Sequence, residues 1–94
     1  MYASVRIYEG IENPAEVTRR VNEEFVPMVS AIEGFVAYYF VDAGGGTMCS
    51  TGVFENRAGA QASDEKAHDW SRESLSDLVF DAPTITEGEV VASG

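Results

Sequence analysis

Apolar and polar positions alternate along this chain with two different periods, and the switches between them mark out six segments. The stretch from Tyr2 to Glu9 has period two, with Ala3, Val5 and Ile7 on one face and Tyr2, Ser4, Arg6 and Tyr8 on the other. It predicts a strand whose core side is the more apolar Ala3-Val5-Ile7 row. Gly10-Ile11-Glu12-Asn13-Pro14 then changes the period. Asn13 is a good N-cap, Pro14 suits the first helical position, and Glu16 stands where a capping-box carboxylate would. Val17, Val21, Phe25, Met28, Val29 and Ile32 recur at helical spacing, while Glu16, Arg19, Arg20, Glu23 and Glu24 pair along the opposite side. Pro27 should kink this helix or loosen its last turns, and Gly34 is placed to end it.

Phe35 to Val41 is the most apolar stretch, too short for a typical helix and rich in aromatic and β-branched residues, so it predicts a second strand. Strict alternation puts Phe35, Ala37 and Tyr39 on one side and Val36, Tyr38 and Phe40 on the other, so both faces are apolar. Asp42-Ala43-Gly44-Gly45-Gly46 reads as a hairpin turn and Thr47 to Phe54 as the returning strand. Glu55-Asn56 begins a second helix running to about Val79, with Ala60, Ala67, Trp70, Ser74 and Leu78 as its inner stripe. Asp81-Ala82-Pro83 stops it, and Ile85 to Ala92 closes as a last strand.

The order β-α-β-β-α-β predicts an α+β, ferredoxin-like domain over residues 1–94, with a four-stranded antiparallel sheet and both helices on one face. That topology leaves the other sheet face open. The two-sided apolar second strand would put a large apolar patch there, which usually marks an interface. A homodimer made sheet to sheet is the simplest cover.

Composition narrows the function classes. The 94 residues carry sixteen acidic and six basic side chains, for a formal charge of −10, and Lys66 is the only lysine. Such a surface opposes nucleic-acid phosphates and anionic membranes alike. It fits either a salt-adapted protein or an ordinary acidic bacterial one. No apolar run approaches the roughly 20 residues of a membrane span, and the N-terminal stretch lacks the pattern of a signal peptide. Cys49 is the only cysteine, so no intrachain disulfide can form, and a cytoplasmic location is the expectation.

Several pieces together resemble a known family. They are Glu24-Phe25-Val26-Pro27-Met28, the run Gly34-Phe35-Val36-Ala37-Tyr38-Tyr39, the Asp42-Ala43-Gly44 turn, and Val53-Phe54-Glu55-Asn56-Arg57-Ala58. With the element order, they make the chain similar to small antibiotic-biosynthesis-monooxygenase-like domains of the dimeric α/β-barrel superfamily. That superfamily holds cofactor-free monooxygenases, haem-degrading enzymes, stress-induced proteins and members without known activity, so fold does not settle function.

The resemblance also nominates positions. In monooxygenases of the family, an Asn and a Trp four residues apart lie at the end of the third strand. Ser50 and Phe54 match them here, which keeps one hydroxyl and loses the indole donor. Haem-degrading relatives use a His on the second helix and an Asn on the first strand. His68, the only histidine, is on the matching helix, but the first strand offers Arg6 and no Asn, so no haem is expected. His68 stands among Asp64, Glu65 and Asp69 and reads as a surface or half-buried residue. One histidine beside scattered carboxylates makes no metal site.

Trp70 suits either the core or the floor of an aromatic pocket. Tyr38 and Tyr39 point to opposite faces, so one meets a pocket and the other the dimer contact. Arg6 would bring positive charge to a pocket only if its face turned toward the helices. The pocket candidates are therefore Arg6, Tyr38, Ser50, Phe54, His68 and Trp70, with no catalytic residue, cofactor or metal assigned. Three readings follow: a dimer with an apolar pocket for an aromatic or lipid-like ligand, a cofactor-independent monooxygenase acting on a hydroxylated aromatic, and a structural or stress-related dimer without ligand. A cavity of several hundred cubic ångströms lined by Ser50, Phe54 and Trp70 would favour the first two.

Overall fold

The computed structural model describes residues 1–79 and 81–94. Strands β1 (Tyr2–Tyr8), β2 (Phe35–Gly44), β3 (Thr47–Phe54) and β4 (Thr84–Glu89) form one antiparallel sheet in the order β2-β3-β1-β4. The helical segments α1 (Pro14–Arg20), α2 (Val26–Ser30) and α3 (Arg57–Ser74) complete the ferredoxin-like β-α-β-β-α-β arrangement. β4 is shorter than the Ile85 to Ala92 expectation at its C-terminal end.

A π-helical turn, Val21–Phe25, joins α1 to α2 into one rod. Pro27 explains it. A proline has no N–H to return to the carbonyl four residues back, so the turn before it widens. Asn13 caps the rod by accepting from the Glu16 N–H at 3.3 Å. The Glu16 carboxylate does not return to close a capping box; it pairs with Arg19 and Arg20 instead. The rod ends at Ser30, short of Gly34, whose φ of +83° turns the chain into β2. Val17, Val21, Phe25 and Val29 form its buried stripe.

β1 is turned over relative to the sequence expectation. Ser4 and Arg6 are 2% and 3% exposed and lie under the helices, whereas Ile7 is 40% exposed on the open face. The apolar row was the natural core choice by transfer free energy alone. It loses because Asp64 on α3 accepts from the Ser4 hydroxyl and from one Arg6 nitrogen, which lowers the cost of burying the polar row.

β2 also departs from strict alternation. Its register with β3 runs Phe35↔Phe54 and then Ala37↔Val53, so Val36 is the extra residue of a bulge. Phe35 thereby joins Tyr38 and Phe40 on the helix face, packed edge-on against Phe54 with ring centroids 6.0 Å apart. On the open face three cross-strand rows result: Ala3–Val53–Ala37, Val5–Thr51–Tyr39 and Ile7–Cys49–Val41.

α3 is capped by Asn56, which accepts from the Gly59 N–H at 3.2 Å. It ends at Ser74 and not near Val79, as the sequence had implied. Arg20 donates to the Ser74 carbonyl at 2.7 Å and pairs with Asp77, satisfying a carbonyl the helix end leaves open. The turns that follow fold Leu75 inward.

Candidate functional site

The β1 inversion creates the site. Arg6 lies in the middle of the sheet, flanked by Ser50 on β3 and Ile85 on β4. Its guanidinium donates to Asp64 Oδ1 at 2.7 Å, and the Ser4 hydroxyl donates to the same oxygen. The guanidinium carbon also sits 5.9 Å from the centre of the Phe25 ring, a cation–π distance. Phe25 in turn packs against Trp70 and Tyr38, with centroids 5.3 and 5.5 Å away. The Trp70 indole N–H reaches Glu24 Oε1 at 3.2 Å, so the ring is fixed at its polar end.

A small cavity opens off this cluster between sheet and helices. It is lined by Arg6, Tyr8, Phe25, Tyr38, Phe40, Met48, Trp70, Leu75 and Val79, among others, and holds about 20 Å³. That is room for roughly one water molecule. It is far below the several hundred cubic ångströms set out above, and Ser50 and Phe54 are not part of its wall. Both are fully buried on the helix face of β3 beside it.

Polar groups at the cavity are incompletely satisfied. Arg6 Nε and Ser50 Oγ are buried without hydrogen-bond partners, as is Ser63 Oγ on α3. Burial pushes the Tyr38 hydroxyl up to a pKa of about 12, against the opposing pull of the Arg6 charge. Tyr8 is raised by burial too, again with Arg6 opposing. Both phenols therefore stay protonated and can donate to an anion. A Cβ on Gly52, which lies between Ser4 and Tyr38 across the sheet, would come within 3.0 Å of the Phe54 ring, so this face is tightly filled there.

Arg6, Tyr38 and Trp70 all line this cavity, Arg6 because its face of β1 turns toward the helices. His68 is not among them; it is exposed and lines a separate outer groove. Asp64, Phe25 and Tyr8 belong to the cluster but were missed. Asp64 had a readable signal, being an acid four residues after Ala60 and three before Ala67 on the small-residue stripe of α3. Among the described residues, no three His, Cys, Asp or Glu side chains converge as a metal site would require, and no helix is long and apolar enough to cross a membrane.

No family model and no curated protein matches the chain by sequence. Solved structures match it in shape. A protein of unknown function from Nitrosomonas europaea superposes with a TM-score of 0.80 at 19% identity, over 99% of this chain and 91% of that one. A monooxygenase from Streptomyces coelicolor, solved in complex with nanaomycin D, gives 0.71 at 14% identity, over 98% and 92%. A dimeric ferredoxin-like protein from an uncultured marine organism gives 0.71 at 17% identity, over 99% and 95%. The fold is the ferredoxin-like one that these structures share.

At these identities the likeness is one of fold. Within that fold, this chain places a buried arginine, two phenols and an indole where sheet and helices meet. The Ser50 and Phe54 positions bring only one hydroxyl between them.

Proposed function

We propose that the chain acts as a homodimer whose site binds a small aromatic molecule carrying an anionic oxygen. The observation that carries this reading is Arg6, 3% exposed, with its Nε unpartnered beside an aromatic-walled cavity. Burying a guanidinium is costly unless its donors are used. Asp64 takes one donor and leaves Nε free, and a ligand oxygen held by Arg6 and Tyr38 would use it. The rings of Phe25, Tyr38 and Trp70 favour a flat aromatic body over a lipid chain.

The cavity of about 20 Å³ is too small for an aromatic ring, so its walls must move apart to take one. Leu75 and Val79 line the cavity from the turns after α3, outside any helix or strand, and are the walls that would give way. The test is quenching of Trp70 fluorescence by 1-hydroxyanthraquinone. Saturable quenching should weaken about tenfold in Arg6→Met, the loss of roughly one charge-assisted hydrogen bond. Absence of quenching, or equal quenching in a folded Arg6→Met protein, sinks the reading and leaves a structural dimer without ligand.

A second reading, a cofactor-independent monooxygenase, gains from the same inversion of β1. A substrate phenolate needs oriented donors in a dry site. Arg6 and Tyr38 offer them where Phe54 does not. Oxygen uptake by metal-free protein with a dihydroxyanthracene, lost in Arg6→Met, would move this reading to first place. Binding without uptake keeps the protein a binder.

A further inference from the structure

The polar cluster behind the cavity does not end at Asp64. The Ser4 hydroxyl and the Arg6 guanidinium both donate to its Oδ1. A second carboxyl comes from the neighbouring strand. Glu87 stands directly opposite Ser4 in the β1–β4 register, so it shares the sheet face that carries Ser4 and Arg6. There its carboxyl is hydrogen-bonded to that of Asp64. An ionised carboxylate only accepts, so this bond exists only while one of the two carries a proton. Glu87, Asp64 and Arg6 thus form one connected chain from the half-buried edge strand to the cavity wall.

The charge of this chain depends on the shared proton. With the proton in place, Arg6 and Asp64 cancel and Asp64 is a weakened acceptor. Without it, a second negative charge stands behind Asp64, and Asp64 pulls harder on the guanidinium. Both changes oppose an anion on the cavity side of Arg6. The other groups around Glu87 are Arg57 and His68, at helical spacing from Asp64 on α3, Arg6 on β1, and Glu89 two residues along β4. Of these, Arg57 favours ionisation of Glu87, and the Asp64 charge opposes it. Glu87 is partly open to water, so its influence at Arg6 is screened and modest.

We infer that the Asp64–Glu87 pair regulates the Arg6 site, which holds an anionic ligand more tightly while the two carboxyls share a proton than when both are ionised. This rests on the binding reading above. The coupling is reciprocal, so ligand binding keeps the proton on the pair. Glu87 touches no ligand; it acts on the site through Asp64.

The experiment titrates the full chain with anthraquinone-2-sulfonate, whose charge is constant with pH, and follows Trp70 quenching between about pH 5 and pH 8 at constant salt. Binding should be roughly threefold tighter at the acid end, the scale of one partly exposed charge. Glu87→Gln keeps a hydrogen-bond donor toward Asp64 and is expected to fold. It should bind at both ends of the range as the unaltered protein does near pH 5. His68→Gln removes the chain's only histidine and should keep the full pH dependence. A dependence that persists in Glu87→Gln, or one that vanishes in His68→Gln, overturns the inference. Arg6-dependent binding with the same affinity at every pH also overturns it and leaves the binding reading standing. A sulfonate that never binds sinks the inference, and the binding reading falls with it only if 1-hydroxyanthraquinone fails to quench as well.

Discussion

Arg6 and Asp64 meet at 2.7 Å across the sheet–helix interface, and they are unequally buried, with side chains 4% and 18% exposed. Removing either partner should therefore not cost the same. Asp64→Ala strands a guanidinium in the core and should destabilise by roughly 3–5 kcal/mol, the range for an orphaned buried charge. Arg6→Met keeps the apolar stem and leaves Asp64 with Ser4 and solvent, for a cost of about 1–2 kcal/mol. Urea unfolding of the two variants checks the order. The double variant should be more stable than Asp64→Ala alone; a reversed order would mean Arg6 is not held by Asp64.

Glu87 lies opposite Ser4 in the β1–β4 register and faces Asp64. Its pKa is raised, first by a hydrogen bond shared with Asp64, then by burial and by the Asp64 charge, with Arg57 opposing. A raised carboxyl pKa means the fold favours the protonated form. Its contribution is complete below the ordinary glutamate range and is lost as pH rises through the folded value. Glu87→Gln should match the unaltered protein near pH 4 and melt higher than it at pH 7 to 8. Thermal melts across that span read this out; parallel curves at every pH would remove Glu87 from the cluster.

The sequence shows the fold well because its two periods, its caps at Asn13 and Asn56 and its glycine turn are all local signals. It shows the site less well because three determinants are non-local. Which face of β1 is buried depends on Asp64, some sixty residues away in sequence. The bulge at Val36 depends on β3 pairing, not on any residue of β2 alone. The end of α3 depends on Arg20 from the other helical rod reaching the Ser74 carbonyl. Ser50 and Phe54 carried the expectation of a pocket through resemblance, and the cavity instead formed next to them, around Arg6.

Gly59 sets how closely α3 lies on β3. A Cβ there would come 2.8 Å from Phe54 Cβ, a contact that real side chains do not make. In an open helix, Gly→Ala would stabilise by about 1 kcal/mol. Here overpacking against a fully buried Phe54 should outweigh that, for a net loss of roughly 1–2 kcal/mol. Differential scanning calorimetry of Gly59→Ala checks the sign. A higher melting temperature would show that α3 can lift from the sheet without cost.

The open sheet face bears on assembly. Tyr39 is 64% exposed in the single chain, with Val41 beside it on β2 and Val5 and Ile7 across the sheet. These side chains form a continuous apolar surface over three strands, not isolated residues, and the charged positions of the chain lie elsewhere. Patches of this kind are rare on monomers. Their simplest cover is a second copy meeting face to face, since each copy offers the same rows to the other. Light scattering at micromolar concentration should give twice the mass of one chain. Tyr39→Glu puts a charge at the centre of that contact, where desolvation has no compensating partner, and should shift the protein to a monomer. Ala15→Glu, on the solvent side of α1, adds the same charge and should leave the dimer intact. A monomeric mass for the unaltered protein, or a Tyr39→Glu protein that stays dimeric, would show that the open face is not the contact.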